Sequence, residues 1–377
     1  MSSSKPIGIY LHIPFCVKKC PYCDFVSFSY SEDEEERYTE YLLKEIDMKS
    51  NNELVDTIYL GGGTPSILSL GSLEKILDFI YKRFEISKDV EISMEVNPGT
   101  VNKEKVRAWK ELGVNRISIG AQSFLEKELK LLGRIHNVKD IYTTFNILRE
   151  AGFDNINIDI IYALPFQRKE DFCFSLKETL KLEPEHISIY NLIIEEDTPF
   201  YEMYLKSEIE LPENDLEAEM FSFAMDFLKG NGFIHYEISN FSKGEGYKCR
   251  HNLKYWYQEK YYGFGVSAYS YDPPMRYGNH KHLYVYYEKI KEGKLPIEEK
   301  EFLIGEDLAK DYLFLRLRLL EGVAREEFES RFGKKIEYFM KNYPIFVEEG
   351  LIKEENGRIF LTEKGVLLAN EIFQDIL

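Results

Sequence analysis

Cysteine and positive charge are both scarce in this chain. Five of its 377 residues are cysteine, too few for the dense disulfide framework of a small secreted fold. Lysine and arginine total 48 against 65 aspartates and glutamates, a formal net charge of −17. A surface of that sign repels phosphate backbones and anionic lipid heads, so neither nucleic acid nor an electrostatically held membrane is an expected partner. Nowhere does an apolar run approach the roughly 18 residues that a bilayer span needs, so no transmembrane segment is expected. Met1-Ser-Ser-Ser-Lys-Pro6 lacks the apolar stretch of a signal peptide. The expected compartment is the cytoplasm, where thiols stay reduced. Internal repeats and low-complexity tracts are also lacking.

Three of the five cysteines nevertheless sit together, in Cys16-Val-Lys-Lys-Cys20-Pro-Tyr-Cys23. Structural zinc usually takes four ligands, commonly as two separated Cys-x-x-Cys pairs, and here Cys173 and Cys249 stand alone. Three thiolates can hold a cubane 4Fe–4S cluster and leave one iron open, whereas an electron-transfer cluster uses four. Further along comes Gly61-Gly62-Gly63-Thr64-Pro65. Successive residues without side chains let a main chain approach a ligand closely, although a tight strand-to-helix turn would use them equally. The acidic run Glu32-Asp-Glu-Glu-Glu36 reads as a solvated helix start.

At this length one large domain and a smaller one are expected. Short apolar strands over 7–13, 55–60, 90–96, 115–120, 155–163 and 186–192 alternate with helical stretches near 33–49, 72–84, 102–112, 138–151, 169–182 and 212–230. Apolar residues recur at spacings of three and four, as in Leu73, Ile76, Leu77 and Ile80. Ile- and Val-rich strands each followed by a helix imply parallel pairing buried on both faces, in a barrel or a doubly wound sheet. Either arrangement places ligands at the C-terminal ends of the strands. The cysteine segment, the glycine run, Glu95-Val-Asn97-Pro98, Gly120-Ala-Gln122-Ser123 and Asp159-Ile-Ile-Tyr162 all fall there. Residues 231–300 read as irregular, tyrosine-rich and punctuated by glycine, with short strands such as 235–241. Helices over 307–319, 325–332 and 336–349 follow, then a hairpin of 351–353 and 359–362 around Asn356-Gly357. Helices with a small wing suggest a winged-helix shape, here a packing or lid unit because the segment is not basic enough for DNA. The expected domains are 1–230, 231–300 and 301–377.

The spacing CxxxCxxC directly after the strand over 7–13 resembles the signature of the radical SAM superfamily. That resemblance implies an α/β fold, a partial (β/α)6 barrel with a small, mainly helical C-terminal domain. Tyr10-Leu-His12-Ile-Pro14-Phe15-Cys16, Cys20-Pro-Tyr-Cys23-Asp24-Phe25 and Gly61–Pro65 are similar to the branch containing oxygen-independent coproporphyrinogen III oxidases and the HemW heme chaperones. On this resemblance Cys16, Cys20 and Cys23 hold the 4Fe–4S cluster. S-adenosylmethionine would be bound by Tyr10, Tyr22, Gly62, Gly63, Thr64, Glu95, Gln122, Arg134, Asp159 and Ile193. The glycine loop would meet the amino group of the methionine part, Arg134 a carboxylate, and Tyr22 the adenine.

His251-Asn252-Leu-Lys-Tyr255-Trp256 resembles the HNxxYW heme signature of the chaperone branch. Imidazole is a usual axial ligand of heme iron, and the resemblance implies heme held by His251, Asn252, Tyr255 and Trp256. Read without the family, the same histidine is one hydrogen-bonded within an aromatic core. The 27 Tyr and 26 Phe likewise suit a flat ligand or an aromatic core. Phe25 stands where the oxidase pattern has a fourth cysteine, and Cys16 comes after a shorter segment than the oxidases carry. Gly263-Phe-Gly265-Val-Ser267-Ala-Tyr269 fits the shared branch, though chaperone relatives commonly have His at the last position. The implied function is a heme chaperone that binds heme, a 4Fe–4S cluster and S-adenosylmethionine and passes heme to an acceptor protein, served by an electron donor. The alternative is the oxidase, converting coproporphyrinogen III to protoporphyrinogen IX by radical oxidative decarboxylation.

Overall fold

The structure, a computed structural model, describes residues 5–377. The reading made of Met1-Ser-Ser-Ser therefore lies outside the described residues. Two compact units are present: one runs to Pro212 and resumes over Lys260–Glu301, and the other comprises Glu213–Glu259 and Phe302–Leu377. The stretch 231–300 is thus divided between them.

In the first unit six strands lie side by side in chain order and all parallel: β1 (Ile7–Ile13), β2 (Leu54–Gly62), β3 (Glu85–Val96), β4 (Arg116–Gln122), β5 (Ile156–Tyr162) and β6 (His186–Asn191). Their Ile- and Leu-rich interiors are buried on both faces, as helix-covered parallel strands require. The strand Tyr261–Phe264 pairs in parallel with the other side of β1, Gly8 opposite Tyr261. Tyr269–Asp272 and Met275–Asn279 extend the sheet as an antiparallel hairpin. This late segment covers an edge of β1 whose backbone groups would otherwise be unpaired.

The helix α1 (Glu32–Lys49) begins at the acidic run, with Ser31 accepting from the Glu34 N–H. The run is not uniformly solvated. Glu35 is buried, and its carboxylate accepts from the N–H and the hydroxyl of Ser69, the N-cap of α2 (Leu70–Arg83). An anion at that helix start is stabilised by the dipole and the unpaired N–H groups. Leu73, Ile76, Leu77 and Ile80 form the buried stripe of α2, and truncating Leu77 to Ala would cost about 2–5 kcal/mol.

The first unit also buries an ion pair. Lys49 lies 4.0 Å from Glu45 and donates to Gly263 O and Ser270 Oγ, both at 3.0 Å. Glu45 accepts from the Gly265 N–H, Asn279 Nδ2 and the Tyr286 hydroxyl, each at 2.7 Å. Burial draws the Lys49 pKa down to about 8 and pushes the Glu45 carboxyl up. These bonds stitch α1 to residues more than two hundred positions later.

In the second unit, Asn214–Gly230 precedes a hairpin of Ile234–Glu237 and Asn240–Ser242, where a single strand over 235–241 was expected. The segment read as irregular also contains the helix Arg250–Trp256, and the first unit adds Leu283–Lys291. The wing has three strands rather than two, Val323–Ala324 joining Arg358–Leu361 and Ile352–Glu355. The helix expected over 336–349 is broken into Ile336–Phe339 and Tyr343–Glu348. Pro344 explains the break, since proline is accommodated in the first turn of a helix and not its interior.

Because one partner of a buried pair is left uncompensated when the other is removed, Lys49→Met is expected to lower the unfolding free energy by about 3 kcal/mol in urea denaturation. Lys103→Ala, which breaks the exposed pair with Glu150, should leave the transition unchanged.

Candidate functional site

The C-terminal ends of β1–β6 surround a cavity of about 440 Å³. Cys16, Cys20 and Cys23 line it, as do Tyr22, Gly62, Gly63, Thr64, Glu95, Gln122, Arg134, Asp159 and Ile193. Tyr10 is placed differently: its ring stacks on Tyr59 beside Gly61, and it is not among the lining groups.

The three thiols are half-buried and free of disulfides. The Thr64 hydroxyl donates to Cys16 Sγ at 3.5 Å, and Arg134 Nη1 to Cys20 Sγ at 3.8 Å. Burial pushes the Cys23 thiol up. Among the described residues no three His, Cys, Asp or Glu side chains converge on a point where one metal ion would sit. A cubane 4Fe–4S cluster would take each thiolate on a different iron. The donor set fits the group: three thiols on one cavity, two of them already accepting hydrogen bonds.

The loop from Cys16 to Val26 is held by His12. Its Nε2 lies 2.8 Å from Val26 O and must carry the proton, so Nδ1 accepts from the Tyr10 hydroxyl at 3.1 Å. Burial draws its pKa down to about 4, leaving a neutral imidazole at pH 7. The glycine turn rests on the same ring. A Cβ at Gly62, where φ is +109°, would stand 2.6 Å from His12 Cε1, and one at Gly63 would stand 2.7 Å from Phe15 O. Gly61 is similarly closed in by Tyr59 and Glu95. The glycines are therefore required by protein packing itself, and their main chain is what faces the cavity.

Two carboxyls reach the cavity from β3 and β5. Glu95 accepts from the Tyr59 hydroxyl at 3.0 Å and the Gly62 N–H at 3.1 Å. Burial, reinforced by the nearby Asp159, pushes its pKa up to about 7. Asp159 accepts from Ser118 Oγ at 3.0 Å and Asn157 Nδ2 at 2.8 Å, and burial raises it too. Arg134 donates to Asn97 Oδ1 and to Gly120 O at 2.9 Å, while its Nε is buried without a partner. Burial works against this cation, but Tyr22 and Cys20 outweigh it and hold its pKa up. Gln122 follows a register shift between β4 and β5 and has φ +66°, a conformation that costs a non-glycine residue about 1–3 kcal/mol. Tyr22 packs on Phe200 with ring centroids 6.1 Å apart.

His12, Tyr59, Asn97, Ser118 and Asn157 were not picked out as site residues. Ser118 and Asn157 could have been found from the period of two, since they precede Gly120 and Asp159 on the same faces of β4 and β5.

The second motif belongs to the other unit. His251, Asn252, Tyr255 and Trp256 lie on the helix Arg250–Trp256. His251 is 1% exposed, and its Nε2 is 2.8 Å from the Tyr255 hydroxyl. In this conformation the imidazole is not open to an iron, so these residues as placed do not fit axial heme ligation. Asn252, Tyr255 and Trp256 are half-buried.

Comparison with known proteins places these features in context. Residues 10–178 match the model of the radical SAM superfamily, and residues 303–368 match the HemN C-terminal domain. The chain is 36% identical to the heme chaperone HemW of Bacillus subtilis, covering 97% of both chains. It is 36% identical to that of Lactococcus lactis, over 99% of this chain and 98% of the relative, and 32% identical to that of Escherichia coli, over 98% and 97%. The structure superposes on coproporphyrinogen III oxidase (HemN) from Escherichia coli with a TM-score of 0.86 at 24% identity, covering 99% of this chain and 90% of the other. That likeness shows the fold: an α/β radical SAM barrel with a HemN-type C-terminal domain.

The packing around the glycine turn makes Gly63→Ala destabilising by about 1–3 kcal/mol, because backbone must move to admit the methyl group. Gly71→Ala on α2, where nothing lies within 4 Å of the added Cβ, should be neutral or stabilising by up to about 1 kcal/mol. Urea denaturation of the two variants checks this, and equal midpoints would refute it.

Proposed function

From the membership of this chain in the radical SAM superfamily and, within it, in the HemW family, we propose that it is a heme chaperone that binds a 4Fe–4S cluster, S-adenosylmethionine and heme and delivers the heme to an acceptor protein. The observation that carries the reading is the end-to-end correspondence with heme chaperones. In the cavity, three thiols and a carboxyl-lined polar wall meet at one set of strand ends.

Cys16, Cys20 and Cys23 would hold the cluster, which supplies one electron to S-adenosylmethionine when bound. The chain's own groups do the positioning. Arg134, with an unsatisfied Nε, is suited to a carboxylate; Glu95 and Asp159 are suited to a cation or to hydroxyls; Tyr22 offers a flat face; and the Gly62–Thr64 main chain forms the near wall. The exposed Ile193 closes the outer side. Tyr10 acts from behind, through His12. An electron donor and a heme acceptor complete the reading as partners. Heme itself rests on the relatives' names, since His251 is closed in this conformation.

The oxidase remains the second reading, favoured by the overall fold. Phe25, 67% exposed at the cavity, counts against it because that position carries a cysteine in the oxidase pattern. Anaerobically reconstituted protein assayed in parallel tests both. Heme binding with a Soret band and no conversion of coproporphyrinogen III is expected, and robust protoporphyrinogen formation would overturn the chaperone reading.

Cys20→Ala should lose the brown chromophore and its iron and sulfide, while Cys173→Ala keeps both. Retention of a full complement in Cys20→Ala would remove the cluster assignment.

With a pKa of about 7, Glu95 gains its charge as pH rises from 6 to 8. An ionised carboxylate attracts the sulfonium cation that a protonated one does not. The Kd of S-adenosylmethionine, measured by calorimetry, is therefore expected to tighten several-fold across that range. The difference between wild type and Glu95→Gln isolates the carboxyl, and parallel pH profiles would show that it plays no part.

A further inference from the structure

The segment between Cys16 and Cys20 is left to solvent on a loop whose base is fixed. The Phe28 N–H donates to Pro14 O at 2.6 Å and the Tyr30 N–H to Cys16 O at 3.1 Å, where Phe15–Cys16 pairs with Phe28–Ser29. The half from Cys20 to Cys23 is held against the protein. The Phe200 N–H donates to Pro21 O at 3.0 Å, and a Cβ at Gly133 would stand 2.7 Å from Pro21 Cδ. What faces outward is Val17, Lys18 and Lys19, with Asp24 and Phe25 beyond the third thiol. All five are exposed, Val17 by 60%.

The exposed tip is cationic on a chain whose net charge is −17. Among the described residues neither Lys18 nor Lys19 makes an ion pair. Burial raises the Cys23 thiol, and the Lys19 charge pulls against it, so this cation is felt at the thiols. Asp24 and Glu195 also line the cavity, so the positive charge belongs to the Lys18–Lys19 tip and not to the mouth as a whole. An acidic partner is repelled from most directions, and two unneutralised cations would orient its approach. Apolar Val17 and Phe25 beside them supply contact area. Redox encounters bury less than about 1,200 Å², and a tip on a fixed base loses little freedom on binding.

We propose that Val17, Lys18, Lys19 and Phe25 form the docking surface for a small acidic protein that carries single electrons. The proposal rests on the reading that Cys16, Cys20 and Cys23 hold a 4Fe–4S cluster. One electron leaves the carrier and reduces the cluster; no bond forms or breaks, and no proton moves. Cys16 and Cys20 flank the two lysines in sequence, so a carrier seated on the tip lies nearer the cluster than one seated on the helices around the barrel.

Two measurements on the full chain test this. The probes are flavodoxin hydroquinone, an acidic carrier, and reduced methyl viologen, a small cation. After anaerobic reconstitution, cluster reduction is followed by stopped flow. Lys18→Glu combined with Lys19→Glu should slow reduction by flavodoxin about tenfold at low salt, and the gap should narrow as salt is added. Reduction by methyl viologen should not be slowed. Lys82→Glu combined with Lys88→Glu makes the same charge change at the other end of the strands and should stay close to wild type. Lys18→Gln with Lys19→Gln, expected to act more weakly in the same direction, is read should the reversal prevent reconstitution. On cluster-free chain, carbodiimide coupling of lysines to flavodoxin carboxylates, mapped by mass spectrometry, should fall on Lys18 and Lys19. Equal flavodoxin rates in wild type and the Lys18–Lys19 variants, or coupling concentrated on other lysines, would overturn the docking surface. Slower hemin binding in those variants with unchanged flavodoxin rates would assign the pair to the carboxylates of a flat ligand and overturn it equally. Wild-type chain that takes up no iron and sulfide would instead overturn the cluster reading, while coupling on the cluster-free chain would still report whether an acidic carrier seats here.

Discussion

His12 ties the cysteine-bearing loop to the glycine turn through both of its ring nitrogens and its ring face. One ring nitrogen donates to Val26 O and the other accepts from Tyr10, so a second proton would require the Tyr10 hydroxyl to turn and accept instead. The ring face meanwhile forms the floor under Gly62. The parallel register sets Ile13 opposite Gly62, which puts the start of the cysteine loop and the turn of the next strand side by side. Glu95 then receives the Gly62 N–H, so the third strand is aligned through the same turn. Thiols, main-chain wall and carboxyl share one frame of reference.

Beneath that frame the barrel interior is polar rather than oily. Asn157 donates to Ser118 and Asp159, and its Oδ1 accepts from Ser188 Oγ at 3.1 Å and from His186 Nδ1 at 2.6 Å. Burial, with Arg116 nearby, draws the His186 pKa well down, which keeps that ring neutral. A connected network of this kind fixes Asp159 in one orientation, because each member loses a bond if it turns. The cavity wall is therefore preorganised before any ligand arrives.

Much of this was legible in the residues. The six parallel strands and their helices were visible because apolar periods of two and of three to four were clean, as in Leu73 to Ile80 on α2. The thiol and glycine motifs stood out by local spacing. Single polar residues such as Asn97 and Tyr59 carried no such mark, since their meaning arises only when strand ends far apart in the chain come together. Glu35 was hidden for the opposite reason: it sits within an acidic run that looks uniformly solvent-facing, and burial by α2 cannot be read from neighbours in sequence. The break at Pro344 was missed in expecting one helix over 336–349, although proline in the middle of a proposed helix argues for a new start. The contact of His251 with Tyr255 was half readable, as spacing on a helix, whereas the burial of His251 was not.

The discontinuity of the first unit has a consequence for synthesis. Chain up to Pro212 contains the six strands and every cysteine of the cavity, yet one side of β1 stays unpaired until Tyr261–Phe264 has been made. The acceptors of Lys49 and the donors to Glu45 arrive in the same late segment. Until residues 213–259 have been made, a nascent chain lacks both the partner of that edge and the groups that pair with Lys49 and Glu45. Exposed edges of that kind template pairing with other chains. Commitment of the cavity to its final form is deferred by the order in which the polypeptide is made, and the first strand laid down is among the last to be fully paired.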